Sequence, residues 1–239
     1  MNLFPAIDLY GGKAVRLYKG NYDEMTVYDT DPVAVAGRMA ACGAKYIHLV
    51  DLEGARYGGT PNLEIIREIV KKTALFAEVG GGIRDFSAME AYFSAGVSRI
   101  ILGTAAVTDD GFVSQAVERY GAERIAVGVD IRDGYVAIRG WTENSALHYT
   151  EFLQRLLHDG IQTIICTDIS RDGAMKGTNL TLYRELLDTY PQLHVIASGG
   201  VSSLEDVRAL ADMGLFGAII GKAYYTGAVN LKEALEVVS

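Results

Sequence analysis

Gly80-Gly81-Gly82-Ile83-Arg84-Asp85 returns later in the chain as Ser198-Gly199-Gly200-Val201-Ser202-Ser203, at an interval of 199 − 81 = 118 residues. Other landmarks return in the same order. Gly103-Thr104-Ala105 becomes Gly221-Lys222-Ala223, again 221 − 103 = 118 residues on. Gly59-Thr60-Pro61-Asn62 becomes Gly177-Thr178-Asn179, with 179 − 62 = 117. Ala6-Ile7-Asp8 becomes Gly128-Val129-Asp130, with 130 − 8 = 122. Four landmarks at one spacing mean that the second half of the chain copies the first.

Around these landmarks the chain alternates between two periodicities. Short apolar runs rich in β-branched residues predict strands at Leu3–Leu9, Tyr46–Leu52, Leu75–Val79, Arg99–Leu102, Ile125–Ile131, Thr163–Ile169, His194–Ala197 and Ala218–Ile220. Between them apolar residues recur at helical spacing, as in Leu63-Ile66-Ile69-Val70 and Leu204-Val207-Leu210-Ala211. Several strands are apolar on both faces, which suits a parallel sheet covered by helices. Eight βα units, four in each half, predict an α/β fold: one (β/α)8 TIM barrel spanning residues 1–239, with half-barrels of roughly 1–121 and 122–239. An open doubly wound sheet is the alternative, but it gives no reason for an even duplication.

The composition agrees and excludes much else. Of 239 residues, 49% are apolar and 22% charged, enough to bury a large core. Lys+Arg 22 against Asp+Glu 30 leaves a net charge of −8, so phosphates of a nucleic acid are not expected partners. An anionic ligand must be held by local amides and a few placed cations. No apolar run approaches the ~18 residues of a membrane span, and the N-terminus lacks a signal-peptide pattern. Two isolated cysteines, Cys42 and Cys166, suit a reducing cytoplasm rather than a disulfide framework. A cytoplasmic monomer without membrane partners is the expectation.

In a barrel of this kind the ligand lies at the C-terminal ends of the strands, and phosphate often docks after the seventh and eighth. The loops found there are Ser198-Gly199-Gly200 and Gly221-Lys222. The repeat places matching loops after the third and fourth strands, at Gly81, Gly82 and Arg84 and at Gly103 and Thr104. Glycines let the main chain approach an anion, helix-start amides donate to it, and Arg84 adds a fork of donors. Gly177 belongs with these phosphate-facing glycines, and Ser202 or Ser203 is the expected cap of the helix beginning at Leu204. Two such cradles on opposite sides of one mouth imply a substrate carrying a phosphate at each end.

Asp8 and Asp130 are also repeat partners, at the ends of the first and fifth strands. Those strands stand opposite each other in an eight-stranded barrel, so their carboxyls would flank the middle of a doubly tethered ligand. That is the arrangement for one group to take a proton while another gives one. Asp51 and Asp168 also end strands, and Asp172-Gly173 reads either as a site element or as turn chemistry. His48 points inward as a ligand contact or a hydrogen-bonded core residue. Trp141 either stacks on a planar ligand or packs on the rim. His148, His158 and His194 show no metal-ligand spacing, and no dinucleotide fingerprint follows the first strand, so no metal or cofactor is expected.

Phe4-Pro5-Ala6-Ile7-Asp8-Leu9, Val15-Arg16-Leu17, Ile47-His48-Leu49-Val50-Asp51-Leu52, Gly81-Gly82-Ile83-Arg84, Thr167-Asp168-Ile169-Ser170-Arg171-Asp172-Gly173 and Ser198-Gly199-Gly200-Val201 together resemble the phosphoribosylformimino-5-aminoimidazole carboxamide ribotide isomerases of histidine biosynthesis. The likeness runs from the first strand to the last. It implies a cofactor-free, metal-free Amadori rearrangement of a bisphosphorylated aminoaldose to an aminoketose. By that resemblance Asp8 is the general base at ribose C2, and Asp130 is the acid that opens the furanose. Thr167 and Asp172 support them, and Arg16, His48, Arg84 and Trp141 match ligand-contacting positions. Three alternatives stay open. Some relatives also isomerise phosphoribosylanthranilate, and Arg139-Gly140-Trp141 looks like their loop. The cyclase subunit of imidazole glycerol phosphate synthase shares the duplicated fold and both aspartates, but typically has Cys-Leu-Asp where this chain has Ala6-Ile7-Asp8. A non-catalytic barrel that binds phosphometabolites would need the cradles but not the carboxylates.

Overall fold

Runs that are apolar on both faces, such as Ile125-Ala126-Val127-Gly128-Val129, can be satisfied only as interior strands of a covered sheet. The computed structural model, which describes residues 1–18 and 20–239, places them so. Its strands are β1 (Asn2–Tyr10), β2 (Lys13–Tyr18), β3 (Asn21–Asp29), β4 (Tyr46–Asp51), β5 (Phe76–Gly80), β6 (Arg99–Leu102), β7 (Ile125–Arg132), β8 (Tyr135–Ile138), β9 (Glu143–His148), β10 (Thr163–Asp168), β11 (His194–Ser198) and β12 (Gly217–Ile220). Strands β1, β4, β5, β6, β7, β10, β11 and β12 pair in parallel in that order, and β12 pairs back onto β1. The sheet is a closed eight-stranded barrel ringed by helices, a (β/α)8 barrel.

Alternation along each strand sorts the apolar side chains into two sets. Leu3, Ile7, Ile47, Leu49, Val127, Val129, Ile164 and Val195 face outward and pack under the helices in the larger core. Phe4, Ala6, Ile101, Ala126, Ile165, Ile196 and Ile219 face inward and fill the lumen. The lumen is therefore a packed plug below, open only at the C-terminal ends of the strands. Among the described residues no helix is long and apolar enough to cross a membrane.

The eight expected strands are all present, but two hairpins are additional. Each follows one of the aspartate-bearing strands. β1 turns through Gly11-Gly12 into β2, pairing Tyr10 with Lys13, and β7 turns through Asp133-Gly134 into β8, pairing Arg132 with Tyr135. All four turn residues have positive φ, at 55, 73, 52 and 84°. Positive φ at both central positions is the primed turn that matches strand twist in a two-residue hairpin. The outer hairpin strands β3 and β9 are largely exposed and polar, so they carry no hydrophobic signal.

The halves match in backbone detail as well as in sequence. Gly103 and Gly221 hold the same unusual dihedrals, φ/ψ −110/−110 and −99/−108. Asp85 and Ser203 cap their helices at −152/166 and −148/167. Strand-end carboxylates anchor both halves, Asp51 buried and Asp168 partly so. Asp51 accepts from the amides of Gly54 and Asn62, the Asn62 side chain and the Tyr92 hydroxyl, at 2.8–3.0 Å. Asp168 accepts from the Ser170 amide, the Ser170 hydroxyl and the Asn179 side chain. These acids organise loops rather than facing the cavity.

The glycine pairs are fixed by packing too. Gly82 and Gly200 have φ of 75 and 86°, and a Cβ on either would run into a carbonyl oxygen, that of Gly54 or of Gly177. Gly82→Ala should destabilise the fold by about 2–4 kcal/mol, combining strain with overpacking against rigid backbone. Urea denaturation of the variant beside an exposed control such as Gly37→Ala measures this.

Candidate functional site

The C-terminal mouth of the barrel holds a cavity of about 990 Å³. Four of its lining positions, Gly80 and Gly128 on strands and Gly103 and Gly221 just beyond strand ends, have no side chain, which clears the space between the remaining groups. Asp8, Asp130, Thr167 and Asp172 line it, together with Arg16, His48, Arg84 and Trp141. Gly81, Gly82, Gly103, Thr104, Ser198, Gly199, Gly200, Gly221 and Lys222 complete the expected set. Gly177 is the exception. It lies off the cavity wall, and its carbonyl packs against Gly200, which it thereby holds in the cradle.

Each cradle joins a glycine loop to a short helix. After β6 the helix Thr104–Thr108 begins at Gly103, and after β12 the helix Lys222–Tyr225 begins at Gly221. Neither helix start is capped by a side chain. Uncapped helix amides facing a cavity favour an anion. The helices Phe86–Ser94 and Leu204–Asp212 differ, because Asp85 and Ser203 cap them and Ser203 forms a capping box with Asp206. Ser202 also gives its amide and hydroxyl to Asp206. Their first turns are thus satisfied internally, and the expectation that the Leu204 helix start donates to phosphate shifts to the glycine loop before it and to Gly221.

Cations sit unevenly around the mouth. Arg84 is exposed at the first cradle, where its Nη2 donates to the Ala55 carbonyl at 2.9 Å. Lys222 reaches the Gly173 carbonyl at 3.3 Å beside the second. Thr104 accepts the Arg139 amide at 2.8 Å, so its hydroxyl braces the β8–β9 turn. Arg16, in the middle of β2, donates Nη1 to Asp8 at 2.9 Å and Nη2 to the Ala6 carbonyl at 3.0 Å. Burial opposes its charge, but Asp8, Tyr225 and Asp172 outweigh that and raise its pKa, keeping it a guanidinium.

The three carboxyls of the floor therefore have different surroundings. Asp8 is the anionic half of an ion pair. Asp130 is opposite, in register with Thr167 of β10. Desolvation raises its pKa, against hydrogen bonds from Trp141 and Thr167 and the proximity of His48, which lower it. Asp172 is pushed up to about 6, first by desolvation and then by the nearby Asp8 and Asp130, with Arg16 opposing. A carboxylate paired with a guanidinium beside two that retain protons more easily than usual is a division that acid–base chemistry can use.

Trp141 sits in the β8–β9 turn with φ 69°, and its carbonyl accepts from Arg132 at 2.9 Å. A Cβ on Gly20, in the β2–β3 turn, would lie 2.9 Å from the Trp141 ring. The two hairpins thus meet across the mouth, and Trp141 bridges the rim to Asp130 rather than only packing. Tyr22 and Arg56 also line the cavity, with the Arg56 guanidinium 4.7 Å from the Tyr22 ring centroid. They were not singled out from sequence, because neither recurs in the repeat; the Gly11-Gly12 and Asp133-Gly134 turn pairs were the available signal for the hairpins that carry Tyr22 and Trp141.

A family model described as "Histidine biosynthesis protein" matches residues 2–230. Among curated relatives, one from Lactococcus lactis subsp. cremoris is 48% identical over 234 residues, covering 98% of this chain and 95% of the relative. One from Oceanobacillus iheyensis is 46% identical, covering 99% and 98%. One from Francisella philomiragia is 44% identical, covering 99% and 100%. All three carry the name 1-(5-phosphoribosyl)-5-((5-phosphoribosylamino)methylideneamino) imidazole-4-carboxamide isomerase.

The pKa of Asp172 carries a sign that can be checked. Its folded value lies above the ordinary carboxyl value, so between pH 4 and 6 the folded state binds more protons than the unfolded state, and this group's contribution falls as pH rises. Asp172→Asn should therefore gain stability on the order of 1–2 kcal/mol above pH 6, and the gain should fade by pH 4. Denaturation midpoints of both proteins across that range provide the comparison.

Proposed function

The chain belongs to the histidine biosynthesis protein family, and from that premise we propose that it is an aldose–ketose isomerase acting on the bisphosphorylated aminoaldose named in its relatives. The reaction is an Amadori rearrangement within one molecule, so substrate and product are isomers and no net electrons or protons are exchanged.

One observation carries the assignment of roles: Asp8 and Asp130 face one cavity from opposite strands, between two anion cradles. The substrate spans the mouth with one phosphate on Gly81, Gly82, Arg84, Gly103 and Thr104. Its other phosphate lies on Ser198, Gly199, Gly200, Gly221 and Lys222. Asp130, whose pKa burial raises and which stands opposite Asp8, gives its proton to the ring oxygen as the C1–O bond breaks, leaving a protonated imine at C1. Asp8, held charged by Arg16, removes the proton from C2, and the electron pair forms an enaminol. The enaminol then becomes the ketone, with its hydroxyl proton lost and C1 protonated. Thr167 orients Asp130, while Asp172 and His48 hold sugar hydroxyls. Each placed acid or base is worth roughly 10²–10⁴ in rate. Tethering at both ends supplies a further share by fixing the reacting carbon.

Each half of the duplication, roughly 1–121 and 122–239, contributes one cradle and one aspartate, and a single chain suffices, so we place the active form as a monomer. Free Cys42 and Cys166 support a cytoplasmic setting.

Asp8→Asn should abolish turnover of the bisphosphorylated aminoaldose while leaving its binding within about tenfold, and Asp130→Asn should lower kcat by about 10² or more. Full activity in the Asp8 variant overturns the base assignment. Binding without conversion by the unaltered protein favours a binding module instead. Assaying phosphoribosylanthranilate alongside decides whether a second substrate is accepted.

A further inference from the structure

The lumen beneath the cavity contains three side chains that an apolar plug does not need. His48 on β4, Glu78 on β5 and Arg99 on β6 point inward from adjacent strands, with His48 in register with Glu78 and Glu78 with Arg99. His48 Nδ1 lies 2.8 Å from Glu78 Oε1, and Arg99 Nε lies 3.4 Å from Glu78 Oε2. Glu78 is fully buried and Arg99 nearly so, among Phe4, Phe76 and Ile101. Buried ion pairs are seldom better for stability than apolar residues of the same volume. The three are ordered: Arg99 pairs with Glu78, Glu78 is hydrogen-bonded to one nitrogen of His48, and His48 alone of the three lines the cavity.

We propose that Glu78 is a positioning residue, holding a proton on His48 Nδ1 so that Nε2 is presented to the cavity as the atom that meets the ligand. An ionised carboxylate only accepts hydrogen bonds, so the partner nitrogen must carry the hydrogen, and the bond made by one imidazole nitrogen sets the state of the other. Arg99 supplies the countercharge that lets Glu78 do this out of water. The charged and titratable groups around His48 are Glu78 and Arg99 below, Asp8 with Arg16 on the β1 side, and Asp130 across the cavity. The inference rests on the isomerase reading for its kinetic consequence, but not for the tautomer itself.

The test combines two readouts. Nitrogen NMR of protein labelled in its histidine rings, with His48 assigned by loss of its signals in His48→Gln, should show His48 protonated on Nδ1. Glu78→Gln should lose that preference, because an amide can accept or donate. Kinetically, Glu78→Gln should lower kcat/KM about tenfold in the native background and less than twofold in the His48→Gln background, since the first residue acts through the second. A native His48 protonated on Nε2 alone, or an equal cost of Glu78→Gln in both backgrounds, overturns the proposal. If Glu78→Gln fails to fold because Arg99 is left unpaired, Glu78→Gln with Arg99→Met removes both charges and should lose the same Nδ1 preference. Absent turnover by the native protein would sink the isomerase reading while leaving the NMR result to decide this one.

Discussion

Parallel pairing of β12 with β1, from Asn2 opposite Gly217 to Pro5 opposite Ile220, closes the sheet, and every distance across the mouth follows from that closure. An open sheet of the same eight strands would leave β1 and β7 wherever twist carried them. Closure makes them opposite walls, and the inward period of the strands then aims Asp8 and Asp130 into one space. The same closure leaves no unpaired edge in the barrel sheet, so its backbone groups are satisfied without the loops. The loops are free to serve the ligand.

Within that frame the site is built by removing side chains as much as by placing them. Gly80, Gly103, Gly128 and Gly221 open the floor, and the charged groups stand around the cleared space. Low polarity there makes each charge costly unless it is matched. Asp8 is matched by Arg16, while Asp130 and Asp172 are not matched to the same degree and hold protons more readily. Desolvation is what raises the Asp130 and Asp172 carboxyls, and at Asp172 the charge of Arg16 works against it.

Most of this architecture was legible in the sequence because it rests on periodicity and repetition, which are local signals. The strand pattern gave all eight barrel strands, and the repeat gave both cradles and both aspartates. What escaped had no hydrophobic signature or no copy. Strands β3 and β9 are polar and mostly exposed, though the Gly11-Gly12 and Asp133-Gly134 turns that lead into the two hairpin extensions have the residues of primed turns. Arg56 and Tyr22 reach the cavity through tertiary placement alone. Gly177 misled because a glycine matched by the repeat can serve packing, as its contact with Gly200 does. The bond from Glu78 to His48 joins residues 30 apart, on adjacent strands, and nothing in the order of residues announces it.

The Arg16–Asp8 pair has no twin. The position that corresponds to Arg16 across the hairpin repeat, 16 + 122 = 138, is Ile138, which also borders the cavity. Arg84 against Ser202 and Thr104 against Lys222 depart from the repeat in the same way. Copying the half-barrel thus supplied the frame twice, while unrepeated side chains made its two walls chemically unequal.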